Sequence, residues 1–240
     1  MRRCIVRINR RFFVRSRHRA RDIKEASKVC QRTPADLDAG APTRLHLAMQ
    51  LILGSSSPYR RAQLETLAYV FDTDVPNIDE VPEKEEPAFD LVARLARKKA
   101  QVTAQRHPQA VVIGADQAAV VGIVTLGKPL TVARAIEQLT TLSGQSVDFL
   151  SAICVIEPGG RIHSHVEPTT VTFRALEIDE IEQYVALDQP LDCAGGIRSE
   201  GLGFHLIEQV ESKDPSALIG LPLIALSKIL RSLGINPLNN

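Results

Sequence analysis

Residues 50–69 read QLILGSSSPYRRAQLETLAY, and the way this stretch folds decides the class of the whole chain. QLILG is a short apolar run suited to a buried strand. SPYRRAQLETLAY supplies Ser57 as a helix cap, Pro58 at the first helical position, and an inner stripe of Leu64, Leu67 and Ala68. A strand that feeds a serine-rich turn into a helix N-terminus outlines an anion site, because free N–H groups, hydroxyls and the positive end of the helix dipole converge there. Arg60 and Arg61 add guanidinium forks suited to phosphate oxygens. The plainer reading of the same residues is a Ser-capped helix carrying two solvated arginines.

Working outward, residues 74–87 (DVPNIDEVPEKEEP) read as an acidic, proline-rich loop, and residues 88–106 (AFDLVARLARKKAQVTAQR) as a long amphipathic helix with Leu91, Val92, Leu95 and Ala96 on its inner stripe. AVVIGADQAAVVGIVTLGKP reads as two strands, the first ending at Gly114, and Val132 to Leu142 as a helix capped by Thr131. SVDFLSAICVIE and RIHSHVEPTTVTFRA read as paired strands turning at PGG. EIDEIEQYVAL starts with acids, as a helix should. CAGGIRSEGLG is a glycine-rich loop, and a last apolar helix runs from about Pro222 to Leu233. Strands mixed with helices imply an α/β or α+β class with a mixed sheet.

The net charge of +1 conceals an asymmetry. Residues 1–48 hold 13 Lys/Arg against 4 Asp/Glu, while residues 49–240 hold 16 against 24. The first segment is basic throughout and lacks apolar periodicity, which fits an arginine-rich targeting peptide, a nucleic-acid-binding arm, or an extension with no part in the fold. With Met49 directly before the first convincing strand, the folded domain is expected to span 49–240, with 1–48 upstream of the natural start or disordered. No run reaches the roughly 20 apolar residues that a membrane span needs. Cys4, Cys30, Cys154 and Cys193 are widely spaced, which speaks against a zinc site or disulfide framework and fits a reducing, cytoplasmic setting. Aromatics are sparse in the basic segment beyond Phe12 and Phe13, so nucleic acid is not an expected partner.

Three further residues carry possible chemistry. Lys99 lies three and four residues beyond Ala96 and Leu95, on the apolar stripe, whereas Lys98 points elsewhere. A lysine there either snorkels to the surface or enters a cleft. Asp116 sits two residues past the expected end of AVVIG, where α/β proteins place ligands, and could hold Mg²⁺, take a proton from water, or simply serve a turn. Lys128 and the Asp79–Glu80 pair add a cation and more carboxylates. His163 and His165 share a strand face, a pattern commoner on surfaces than in metal sites. The loop GGIRSEG is neither a Walker loop nor a dinucleotide fingerprint, and no serine or cysteine shows a His/Asp partnership for acyl transfer.

Together, GSSSPYRR, NIDEVP, LARKKA, VIGADQ, GKPL, LSG, CAGGIRSEGLG and LIGLPL, in this order from about Leu51 to Leu238, resemble the Maf family of nucleotide pyrophosphatases. The closest branch acts on 7-methyl-GTP. Tyr59 stands where that branch is expected to carry tryptophan. The resemblance implies an elongated mixed sheet with flanking helices, two lobes around a deep cleft as in inosine-triphosphatase-like folds, and cleavage of nucleoside triphosphates between the α and β phosphates with a divalent cation, Mg²⁺ or Mn²⁺. It implies that Ser55, Arg60 and Arg61 bind phosphate and that Glu80, Lys99, Asp116 and Lys128 are catalytic. Asp116 and Glu80 are the implied metal ligands, and Tyr59, Gln117 and Glu200 choose the base. A small-molecule nucleotide is the implied partner, with no membrane and with a homodimer as a candidate assembly. Rival expectations are a dTTP/UTP pyrophosphatase of the same family, an inosine-triphosphate-type enzyme, and a non-enzymatic regulator of septum formation.

Overall fold

The computed structural model describes residues 49–239, so the expectations for residues 1–48 lie outside the described residues. Seven strands, β1 (Leu51–Gly54), β2 (Asp72–Asp74), β3 (Val111–Val121), β4 (Val124–Leu126), β5 (Ser146–Ile156), β6 (Ile162–Phe173) and β7 (Ile207–Ser212), form one sheet in the order β2-β1-β3-β5-β6-β7, with β4 also on β3. β1 runs parallel to β2 and β3, whereas β3, β5, β6 and β7 are antiparallel in turn. The helices are α1 (Pro58–Thr66), α2 (Ala88–Arg106), α3 (Val132–Leu142), α4 (Ile178–Asp188) and α5 (Leu223–Ser232). This is the mixed, elongated α/β sheet expected. No helix among the described residues is long and apolar enough to cross a membrane.

Two differences from the sequence reading matter for the site. The strand expected to stop at Gly114 continues to Val121, so Asp116 and Gln117 lie within β3 and not in a loop beyond it. Gly, Asp and Gln are poor strand formers, and what holds them extended is the long antiparallel ladder to β5, from Val112↔Ile156 to Val120↔Asp148. The parallel neighbour does end there, because β1 pairs only as far as Gly54↔Gly114. The first helix also stops at Thr66, and Ala68, expected on its stripe, is an exposed residue at φ +56°. The buried stripe is Gln63 and Leu64.

Alternation along β3 distributes the core. Val111, Ile113 and Ala115 pack with Leu51, Leu53, Leu64, Leu226 and Leu230 beneath α1 and α5. Further along the same face, Ala119 joins Leu139, Phe149, Phe173, Ile181 and Val185 beneath α3 and α4. Gln117 falls between these two packed regions. On the opposite face, Val112 and Ala118 pack against Val92, Ala96 and Ala100 of α2. Each fully buried aliphatic side chain contributes about 1.5–3 kcal/mol. Gly114 is where α2 touches the sheet: a Cβ there would lie 2.3 Å from the Ala96 carbonyl oxygen and 2.5 Å from the Ala100 nitrogen. Only glycine admits this approach, which brings the helix face carrying Lys99 onto the strand carrying Asp116.

Candidate active site

On the edge of β3 that faces β1, pairing with β1 covers residues 111–114 and pairing with β4 covers residues 119–121. Among the described residues, 115–118 have no strand partner on that edge, so the two faces of the sheet communicate there. Arg60 from α1 fills part of the gap, its Nη1 donating to the Ala115 carbonyl at 3.0 Å and its Nε to the Gly220 carbonyl at 3.2 Å.

The buried charges meet at this gap. Lys99 Nζ donates to Asp116 Oδ1 at 2.6 Å and contacts Glu80 Oε1 at 2.8 Å. Lys99 and Asp116 are each only 7% exposed, whereas Glu80 reaches in from an exposed position on the acidic loop. That loop is tied to α2 by Arg94, which forks onto both oxygens of Glu86 at 2.6 and 2.7 Å and donates to the Val81 carbonyl at 3.2 Å, next to Glu80. The fork holds the Glu86 carboxyl well below the usual carboxylate range, at about 2. Burial pushes Asp116 up from its ordinary value, opposed by Lys99 and Arg60, and lowers the Arg60 guanidinium, opposed by Asp116 and Glu80. An ion taken out of water costs several kcal/mol, and pairing two cations with two carboxylates offsets that cost before any ligand arrives.

The serine turn behaves as its spacing suggests. Ser57 caps α1 by accepting from the Arg60 N–H at 3.4 Å, and buried Ser55 accepts from the Ser57 N–H at 3.1 Å. Arg61 takes another course: its guanidinium pairs with Glu65 at 2.9 Å on the exposed side of α1 and is not gathered with the other site residues.

Beside this gap a cleft opens, lined by Ser57, Tyr59, Arg60, Gln117, Lys128, Asp192, Cys193 and Glu200 among others. Lys128 is exposed at its rim, on a loop fastened across the cleft wall by the Leu130 N–H to the Leu191 carbonyl and the Gly195 N–H to the Gly127 carbonyl. The Tyr59 hydroxyl donates to Asp192 Oδ1 at 3.0 Å, and burial raises the phenol from its ordinary value. Burial likewise pushes the Cys193 thiol up to about 12, which leaves it a poor nucleophile. Glu200 is exposed and accepts from the Ser199 hydroxyl at 3.0 Å.

Gln117 is more committed than its residue type implies. The Ser151 hydroxyl donates its one hydrogen to the Ala217 carbonyl at 2.6 Å, so toward Gln117 it can only accept. Gln117 Nε2 meets that hydroxyl at 2.9 Å and the carbonyls of Leu218 and Ala217 at 2.9 and 3.1 Å. With its amide hydrogens spent on the protein, Gln117 has only Oε1 to offer the cleft. The sequence leaves donation and acceptance equally open.

A hard divalent cation fits this donor set. Mg²⁺ keeps several waters and takes one or two carboxylates plus phosphate oxygens. Glu80 and Asp116 provide the two carboxylates, and Asp116 Oδ2 makes no hydrogen bond to the described residues. Among those residues no group of three or more His, Cys, Asp or Glu is placed to hold a metal alone. His163 and His165 are each paired with a carboxylate, Glu157 at 2.5 Å and Glu167 at 2.9 Å.

Two residues escaped the sequence reading: Asp192, which lines the cleft, and Asp188, which is buried and pairs with Arg198. Asp192 directly precedes the glycine-rich loop. Asp188 closes α4, and an acid in a helix's last turn opposes the dipole, a signal visible in the sequence.

A serine turn leading into a helix N-terminus and a buried lysine–carboxylate cluster thus border one polar cleft on an α/β sheet. The family model described as "Maf-like protein" matches residues 50–233, and the chain belongs to the Maf family. It is 53% identical over 185 residues to the 7-methyl-GTP pyrophosphatase of Alkalilimnicola ehrlichii, and 46% identical over 185 residues to the protein of that name from Nitrosococcus oceani. Each match covers 77% of this chain and 93% of the relative. Among solved structures, a nucleoside-triphosphatase (dITP/XTP pyrophosphatase) from Mycobacterium abscessus aligns with a TM-score of 0.41 at 15% identity, over 80% of this chain and all of that one. The Ham1 protein of Staphylococcus aureus aligns at 0.45 and 13% identity, over 77% and 99%.

Proposed function

We propose that this chain is a nucleoside triphosphate pyrophosphatase that hydrolyses 7-methyl-GTP to 7-methyl-GMP and pyrophosphate, removing a modified nucleotide from the cytoplasmic pool. The observation that carries the proposal is a buried lysine–carboxylate cluster beside a polar cleft, with Arg60 reaching both. Lys99 pairs with Asp116 and Glu80, Arg60 donates to the Ala115 carbonyl next to Asp116, and Arg60, Tyr59, Lys128, Asp192 and Glu200 line the cleft. The substrate brings about four negative charges on its triphosphate and a positive ring. Relatives at 46–53% identity bear the name of this activity.

In this reading Arg60, Lys128 and the N-terminus of α1 bind phosphate oxygens, and Ser55 keeps the turn in shape. Asp116 accepts a proton from the water that attacks the α-phosphorus. The bond from that phosphorus to the α–β bridging oxygen breaks, and pyrophosphate carries the electron pair away. Burial raises the affinity of Asp116 for a proton, which makes it a stronger acceptor than an ordinary aspartate. Lys99 steadies the carboxylate and offsets charge developing on the phosphoryl oxygens. Glu80 and Asp116 would hold a divalent cation, Mg²⁺ or Mn²⁺, which when bound neutralises phosphate oxygens.

At the other end, guanine offers N1–H and N2–H₂ as adjacent donors. Glu200 and the free Oε1 of Gln117 are both acceptors, a two-point match. Uracil and thymine present one N–H between two carbonyls, so one of two adjacent acceptors meets a carbonyl lone pair. This disfavours the dTTP/UTP reading. The experiment is pyrophosphate release by the full chain over 7-methyl-GTP, GTP, dTTP, UTP and ITP. Highest kcat/KM on 7-methyl-GTP is expected; preference for dTTP or UTP would install the sister activity, and no release would leave a binding protein.

A further inference from the structure

Glu200 sits on an exposed turn, and Tyr59 sits on a different element, the first turn of α1. Tyr59 is held by Asp192 and Glu200 by its neighbour Ser199, so neither contact sets one against the other, yet in the proposed reading both must meet one base. What joins them is Arg198. Its guanidinium pairs with Asp188 Oδ1 and lies beside the Tyr59 phenol, while its backbone N–H donates to the Tyr184 hydroxyl at 2.9 Å. The other oxygen of Asp188 accepts the Leu202 N–H at 3.1 Å. Between these anchors, Gly201 lies flat on the pair: a Cβ there would be 2.6 Å from Asp188 Oδ1 and 2.8 Å from Arg198 Nε. The turn 199–201, which carries Glu200, is therefore pinned on both sides by one carboxylate.

That carboxylate occupies an expensive place. Asp188 is 4% exposed and ends α4, where the helix dipole is negative. An apolar side chain would be cheaper for stability alone, and what Asp188 adds is a fixed location for two loop segments.

We propose that Asp188, acting through Arg198, is a positioning residue for base selection: it sets the place of Glu200 against Tyr59 without touching the nucleotide. The proposal deepens the nucleotide-pyrophosphatase reading and rests on it. Asp188→Asn keeps the shape, but its amide turns donors toward Arg198 or the Leu202 N–H, so the turn loosens while the phosphate end, built on β3 and α2, does not.

The test is steady-state kinetics of the full chain on 7-methyl-GTP, GTP and dTTP. Asp188→Asn is expected to raise KM for 7-methyl-GTP about ten-fold, hold kcat within about two-fold, and shrink the preference over dTTP about ten-fold. In a Glu200→Ala background the same change should alter selectivity less than about two-fold, because the residue it positions is gone. Arg198→Lys, which keeps the charge but loses the fork, should lie between wild type and Asp188→Asn, and it carries the test if Asp188→Asn fails to fold. An equal fall on all three nucleotides, or an undiminished selectivity change in the Glu200→Ala background, overturns the proposal. If the wild type prefers a nucleotide other than 7-methyl-GTP, the functional reading fails. Positioning by Asp188 is then judged on the preference the wild type does show, by the same compression.

Discussion

At the proposed phosphate end, Lys99 and Asp116 come from the interiors of a nineteen-residue helix and an eleven-residue strand, nearly buried and paired at 2.6 Å. At the proposed base end, Tyr59, Asp192 and Glu200 come from a helix start and a loop with considerable exposure; Tyr59 is tied to Asp192, and Glu200 only to its neighbour Ser199. In the proposed reading, the groups that must hold phosphorus chemistry to a fraction of an ångström sit on elements whose geometry the core enforces. The groups proposed to choose the base sit where residues can change without disturbing that core. The contrast separates catalysis from selectivity, and substitutions at the two ends should fail in different ways.

The largest effect belongs to Asp116. Asp116→Asn removes both the proton acceptor and a charge for the cation, and a loss of roughly 10²–10⁴-fold in kcat is expected on every nucleotide alike. Near-wild-type turnover at saturating Mg²⁺ would show that the reaction does not use this carboxylate. The sign of the pH dependence follows from burial. Because the Asp116 carboxyl is pushed up from its ordinary value, the base is lost by protonation at a higher pH than an ordinary aspartate would allow. The acid limb of kcat/KM should accordingly fall above the usual carboxylate range, and a limb inside that range would break the link between burial and catalysis.

Lys99 comes next. Lys99→Ala leaves Asp116 buried without its nearest cation, and roughly a hundred-fold loss is expected. Lys98→Ala, on a half-exposed neighbour with no part in the cluster, should change kcat/KM less than about two-fold. Similar losses from the two would dissolve the distinction between the inner and outer faces of α2.

The two ends differed in how much of them could be read from residues alone. A lysine on the apolar stripe of a long helix is an anomaly that a 3.6-residue period exposes, and α2 was legible to its last residue, Arg106. The extension of β3 through GADQ was not, because those residues become strand only through pairing with β5, some forty positions away. The strand β2 is just Asp-Thr-Asp, held by parallel pairing to β1, and β7 is a largely exposed edge, so neither has an apolar pattern to find. Asp116 does lie beside a strand end, as its place in the sequence suggests, but the strand that ends is β1. At the base end, residue types marked Tyr59 and Glu200 through family resemblance. The commitment of Gln117 to act as an acceptor, and the pinning by Asp188, depend on partners remote in sequence.

Glu200 should show a smaller effect confined to selectivity. Glu200→Gln replaces a pure acceptor with a group that also donates, so the penalty against uracil and thymine relaxes. A charged hydrogen bond contributes about 1.5–3 kcal/mol, so the preference for 7-methyl-GTP over dTTP should narrow about ten- to a hundred-fold. The acid limb set by Asp116 should stay in place. Movement of that limb would mean that the two ends are coupled after all.

The smallest expected effect tests whether the base end reads charge as well as hydrogen bonds. Methylation at N7 makes the guanine ring a cation, and an aromatic face opposite a cation gains about 0.5–2 kcal/mol, or roughly two- to thirty-fold in affinity. Tyr59 has the ring for this, and its hydroxyl is held by Asp192 Oδ1 at 3.0 Å, which limits how far the ring can swing and adds a negative charge nearby. Tyr59→Ala removes the face and should cost more on 7-methyl-GTP than on GTP by that factor. Tyr59→Phe keeps the face and loses only the tether, so it should retain most of the preference while raising KM modestly on both. Because exposed charges are screened within about 8 Å at physiological ionic strength, the part owed to Asp192 should shrink as salt is raised, and the part owed to the ring should persist. Equal losses on the methylated and unmethylated nucleotides in Tyr59→Ala would mean that Tyr59 merely stacks, leaving Glu200 and Gln117 to choose guanine without regard to its charge.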